Sequence, residues 1–266
     1  MGLNYTEHCG GVQKVMIDNL LKPNAGQLVA HRGYQQHYPE NTLLAIRKAI
    51  EAGALHVELD IQLSRDEVPV VYHDDTLHRM SGLAGRIADF SATELQEISA
   101  HEPGRFGQRF IAEKIATLAE LAELIRQFPD LTFYIELKEE AVRDHGAGVC
   151  LQQIQRVLSP VLSQCVLISF DEKALARAFA EGFSRIGLVT RRWSKRNEQI
   201  RALNACVLFV NKQRIPAGEM ATADCPVVVY EVASIAEAQH WLQRGASLVE
   251  TFAVGELLGK LIEGEK

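Results

Sequence analysis

Short runs rich in β-branched and other apolar residues alternate along the chain with stretches whose apolar positions recur at helical spacing. That alternation marks βα units wound around a parallel sheet. The runs predict strands over residues 28–32, 55–63, 68–73, 132–138, 165–170, 185–190, 206–211, 226–232 and 247–251. Helical spacing predicts a helix over 41–52, through Leu44, Ala45, Lys48 and Ala49, and another over 113–128, through Leu118, Leu121, Ala122 and Ile125. Further helices are expected over 171–181, 195–203 and 235–244.

Only Ser64, Arg65, Asp66 and Glu67 separate the second run from the third, whereas a parallel crossover needs about a dozen residues or more. Those two runs therefore form a hairpin. With the hairpin counted as an extension of one strand, the rest close a (β/α)8 barrel. The expected fold class is α/β, a TIM barrel with a small insertion after an early β-hairpin. The insertion, at about residues 74–113, breaks the rhythm with short helices and turns and is expected to cap the active end. Residues 1–27 read as an N-terminal extension and 28–266 as a single domain.

Alternate residues of a strand share a face, so His56, Glu58, Asp60 and Gln62 point one way and Val57, Leu59, Ile61 and Leu63 the other. A solvated edge strand would show the same alternation, but the hairpin argues for a site. With a two-residue turn at Arg65 and Asp66, Leu63 faces Val68, Ile61 faces Val70, and Glu58 faces His73. A single bulged residue would shift that register. Two adjacent carboxylates repel one another without a cation, and their oxygens are hard ligands of the kind Ca2+ and Mg2+ prefer. Glu136 and Lys138 share a face at the C-terminal end of strand 132–138, where barrel enzymes keep their sites, which makes Glu136 the expected third ligand. His31 and Arg32 end the first strand. A guanidinium fork suits phosphate oxygens, an imidazole moves protons near neutral pH, and Gly33 permits close backbone approach.

Composition narrows the partners. With 47% hydrophobic and 23% charged residues, the chain can bury a full core. A net charge of -6 gives no general reason to approach nucleic acid. No apolar run approaches the roughly 20 residues that span a bilayer. Cys9, Cys150, Cys165, Cys206 and Cys225 are scattered, with no Cys-x-x-Cys pair, and read as reduced thiols. Residues 1–14 lack the basic-then-apolar pattern of a secretory signal, so a cytoplasmic address is expected.

Taken in order, His31-Arg32-Gly33, Pro39-Glu40-Asn41-Thr42, Gly53-Ala54, Glu58-Leu59-Asp60, Asp66, and His73-Asp74 with Leu77 and Arg79 closely resemble the glycerophosphodiester phosphodiesterase family. Ile135-Glu136-Leu137-Lys138 and Ser169-Phe170 also look like family positions. The resemblance implies hydrolysis of a small-molecule glycerophosphodiester to sn-glycerol 3-phosphate and an alcohol such as choline or ethanolamine. It implies one divalent metal ion, Mg or Ca, on Glu58, Asp60 and Glu136. His31 and His73 would be general base and general acid, and Arg32 and Lys138 would hold the phosphate. The C-terminal third departs from the family's Trp-Thr-Val-Asn and terminal Thr-Asp, showing Tyr230-Glu231-Val232-Ala233 and Glu250-Thr251 instead. Those changes bear on substrate identity. Two other readings fit the same residues: a lyase that stops at a cyclic phosphate on a lysolipid-like substrate, and a non-catalytic phosphate-ligand binder. Oligomeric state is not legible in the chain.

Overall fold

The structure, a computed structural model, describes residues 23–259. Of the expected N-terminal extension, residues 1–22 lie outside the described part, as does the stretch after Gly259. All nine expected strands are present: β1 Leu28–His31, β2 His56–Leu63, β3 Pro69–Val71, β4 Thr132–Leu137, β5 Cys165–Ser169, β6 Ile186–Thr190, β7 Val207–Asn211, β8 Val227–Val232 and β9 Leu248–Thr251. Every strand except β3 pairs parallel to its neighbours, and β1 pairs with both β9 and β2, which closes an eight-stranded barrel. Outward residues such as Val57, Leu59 and Ile61 pack under the helices, while Val29, Tyr134, Ile168, Val189, Phe209 and Val228 fill the interior. No helix among the described residues is long and apolar enough to cross a membrane.

β3 runs antiparallel along the C-terminal end of β2, but one residue out of the expected register: Ile61 faces Val71 and Leu63 faces Pro69. The turn explains the slip. Ser64 N–H bonds the Val68 carbonyl at 3.0 Å, enclosing three residues rather than two, and Glu67 takes the left-handed conformation at φ 62°. A three-residue hairpin loop closes this way, with its last residue in the left-handed region. Glu58 therefore does not face His73 across a ladder. β3 ends at Val71, and the chain leaves the sheet before His73.

The expected helix over 113–128 begins later, at Leu118–Ile125, because Thr117 is its N-cap. Thr117 and Glu120 form a capping box, with Thr117 N–H to Glu120 Oε2 at 2.8 Å and Glu120 N–H to Thr117 Oγ1 at 3.3 Å. Residues just before it are extended, Ser99 bridging Lys114 and Val70 bridging Thr117. Between β4 and β5 lie two helices that the apolar spacing did not bring forward, Glu139–His145 and Ala147–Leu158, divided by Gly146 at φ 80°. The segment between β3 and Leu118 has a small core of its own, built from Tyr72, Leu77, Met80, Ile87, Leu95 and Ile115. Short helices at His78–Ser81, Ala92–Glu97 and Pro103–Phe106 surround it.

Candidate active site

The inward face of β2 carries Glu58 and Asp60, and that of β4 carries Glu136. One carboxylate oxygen from each lies within 4.8 Å of the others, and all three residues are buried. Lys138 stands over them, its Nζ donating to Glu136 Oε1 at 2.8 Å and lying 3.3 Å from Asp60 Oδ1. Arg32, at φ 53°, turns its backbone N–H onto Glu58 Oε2 at 3.2 Å and places its Nε 3.0 Å from Asp60 Oδ2. Asn41 completes the cage, with its amide donating to Asp60 Oδ2 at 2.9 Å and its oxygen accepting the Asp60 N–H at 3.1 Å.

These partners divide the carboxylates electrostatically. Burial favours protonation of Asp60, but Lys138 and then Arg32 outweigh it and hold the group far below the usual carboxylate range. Glu58 goes the other way, pushed well up by burial and then by the charges of Asp60 and Glu250. Glu136 is raised by burial, although Lys138 opposes the shift. Three hard oxygen donors at this separation, one of them strongly ionised, fit a hard divalent cation.

His31 ends β1 beside this cluster, its Nε2 3.9 Å from Glu58 Oε2 and its Nδ1 3.1 Å from the Gln35 amide. Burial and the Arg32 charge lower its pKa to about 3, so the ring is neutral at pH 7. His73 lines the same cleft from the far side of β2. Its carbonyl accepts from Gln62 Nε2 at 3.2 Å, and its Nδ1 lies 2.6 Å from Asp74 Oδ1. A chain of charge-assisted bonds then runs back to the carboxylate cluster. Arg79 grips Asp74 with Nε and Nη2, both at 2.8 Å, and grips Glu40 with Nη1 at 3.0 Å and Nη2 at 2.7 Å. Glu40 accepts Arg32 Nη1 at 2.8 Å. Arg32 and Arg79 overcome burial and lower the Glu40 pKa. Both ends of the site are thus held by one network.

The expected residues His31, Arg32, Glu58, His73, Glu136 and Lys138 all line one cleft of about 220 Å³, with Asp60 buried at their base. Arg32 has a further task beyond the expected one, since its guanidinium is already paired with Glu40 and Asp60. The close approach at Gly33 is to protein: a Cβ there would sit 2.6 Å from the Ala45 carbonyl carbon of the following helix. Glu40, Asn41, Asp74 and Arg79 were legible only as parts of motifs, because a charged residue's burial beside a distant partner leaves no local periodicity. Glu250, which the sequence marks only as a departure from the family's Thr-Asp, is a carboxylate on the inward face of β9, only 2% exposed, at the cleft floor. The opposite wall is largely apolar, formed by Ile168, Val189 and Phe209 with Phe170 and Tyr230, and Asn211 and Arg214 also line the cleft. There β8 bulges, and Glu231 at φ 65° turns into the cleft.

A model of the "Glycerophosphoryl diester phosphodiesterase family" matches residues 31–250. A glycerophosphodiester phosphodiesterase of Caldanaerobacter subterraneus subsp. tengcongensis is 40% identical over 115 residues, 43% of this chain and 46% of that protein. Human glycerophosphodiester phosphodiesterase 1 is 35% identical over 143 residues, 53% of this chain and 42% of that protein. The matched stretch thus spans less than half the length of these relatives. Among solved structures, an Oleispira antarctica phosphodiesterase in complex with the product sn-glycerol-3-phosphate superposes with a TM-score of 0.75 at 24% identity, covering 91% of this chain and 97% of that one. A Thermotoga maritima glycerophosphodiester phosphodiesterase gives 0.66 at 26% identity, covering 87% and 96%.

Proposed function

Because this chain belongs to the glycerophosphoryl diester phosphodiesterase family, we propose that it hydrolyses a glycerophosphodiester to sn-glycerol 3-phosphate and an alcohol, with one divalent cation, Mg2+ or Ca2+, held by Glu58, Asp60 and Glu136. The observation that carries this reading is the convergence of those carboxylates with two histidines and Lys138 in a single cleft. The donor set is all carboxylate oxygen, which fits a hard cation. When bound, that ion neutralises charge on the phosphodiester oxygens.

The chain's own residues do the rest. Neutral His31 accepts the proton of the attacking hydroxyl, whether that of water or of the substrate's glycerol. His73, with Nδ1 held by Asp74, lines the cleft and delivers a proton to the departing alcohol. The ammonium of Lys138 faces the anionic phosphate, and Arg32 lines the same wall while pinning Asp60. The partner is then a small-molecule diester and not nucleic acid. We also read residues 28–266 as one domain with the segment 74–113 as its insertion. Free Cys150 and Cys165 in the core suit a reducing, cytoplasmic setting.

Incubation with glycerophosphocholine and glycerophosphoethanolamine tests the proposal. Glycerol 3-phosphate should form with Mg2+ or Ca2+ and cease after exhaustive chelation. Full activity in His31→Ala would refute the assignment. A persistent cyclic phosphate signal in phosphorus NMR would convert the hydrolase into a lyase, and ligand affinity without turnover would make the chain a binder.

A further inference from the structure

Glu250 has no role in the reading above. It projects from β9 opposite Val29 of β1, beneath His31 and Glu58. One of its oxygens, one Glu58 oxygen and a His31 ring nitrogen lie within 4.8 Å of one another. The side chain is 2% exposed, and its Oε1 is buried with no hydrogen-bond partner. A buried carboxylate oxygen with nothing to accept from is costly, and native structures rarely leave one without an occupant to satisfy it. The neighbouring strand residues, Leu248 and Val249, are apolar, so nothing in the strand's own pattern calls for an acid here.

Charge balance says what the occupant is. Glu58, Asp60, Glu136 and Glu250 place four carboxyl groups around the cleft floor, and Arg32 and Lys138 are the cations paired directly with this group. Arg32 is shared with Glu40, so those two offset at most half of the charge, and a divalent ion suits what remains. Glu58 belongs to both ligand groupings, the one with Asp60 and Glu136 and the one with His31 and Glu250. An ion held by Glu58 is therefore within a side-chain rotation of Glu250.

We propose that Glu250 is a fourth carboxylate ligand of the cation site and that it selects Ca2+ over Mg2+. The proposal rests on Glu58, Asp60 and Glu136 being the other ligands. Ca2+ takes 6–8 oxygens in irregular geometry, whereas Mg2+ keeps several waters and is satisfied by one or two carboxylates. A buried floor with four carboxylates matches the larger ion.

Calorimetric titration of the metal-free full chain with CaCl2 and, separately, MgCl2 reads this directly for wild type and Glu250→Gln. Ca2+ affinity should fall about tenfold or more in the variant, Mg2+ affinity by less than about threefold, at one ion per chain throughout. The thermal midpoint in chelator should equal or exceed that of wild type, since the buried Oε1 makes no hydrogen bond that the substitution could remove. Unchanged Ca2+ affinity, equal losses for both ions, or two ions per chain falling to one would overturn the proposal. So would a lower midpoint in chelator, which would make Glu250 a structural group. Binding is measured without turnover, so a chain that binds Ca2+ as expected yet hydrolyses nothing would remove the proposed function and leave this inference standing.

Discussion

The two walls of the barrel mouth are built on opposite principles. From the C-terminal ends of β1, β2 and β4 come His31, Arg32, Glu58, Asp60, Glu136 and Lys138, joined through Arg32 and Lys138 within hydrogen-bond or ion-pair distance. From β5 to β8 come Ile168, Val189, Phe209 and Tyr230, which pack without such ties. The Tyr134 and Phe209 rings meet edge-on at 5.0 Å across the barrel, joining the two. Charged groups must be fixed by partners because a buried unpaired charge is costly, whereas an apolar wall needs only shape. Under the proposed function, bond-making falls to the first wall and fit to the alcohol to the second.

The division breaks most plainly if chemistry does not follow the charged wall. His31→Ala and His73→Ala should each lower kcat by about 10²–10⁴-fold on glycerophosphocholine. A comparable fall in Phe209→Leu, measured in the same assay, would erase the distinction. Next in size is Glu40→Gln, which leaves Arg32 and Arg79 facing an uncharged amide in a buried site. A loss of about 3 kcal/mol is expected in urea denaturation, with an unchanged m value. Gly33→Ala should cost about 2 kcal/mol in the same experiment, from a Cβ in contact with Ala45 and a φ of 80°.

Smaller effects sharpen the comparison. Asp74→Asn should reduce kcat about tenfold by loosening His73, with KM little changed. Its pH signature has a definite sign. Asp74 is half-buried, which opposes ionisation, yet its bonds with His73 and Arg79 hold its folded pKa well below the normal value. Its contribution to stability is therefore present above about pH 4 and lost as the pH falls toward the lowered folded value. Thermal midpoints measured from pH 6 downward should show a shallower acid decline in Asp74→Asn than in wild type. The smallest change is expected at the apolar wall, where Tyr230→Phe should raise KM for one alcohol over another and leave kcat alone.

Local pattern alone determined much of this protein. Runs of β-branched residues located all nine strands, the four-residue gap after Leu63 required a hairpin, and alternation put Glu58, Asp60 and Glu136 on inward faces. Periodicity records which way a side chain points, and that is a property of neighbours in sequence. Tertiary structure decided the rest. The register of β3 turned on one residue, Glu67, adopting a left-handed conformation that its side chain does not announce. The chain of ion pairs from Asp60 to His73 depends on Glu40 and Arg79 meeting across the mouth. Glu250 reaches Glu58 only because β9 closes onto β1. Closure of the barrel joins strands far apart in the chain, and no local spacing encodes which side chains then meet at its floor.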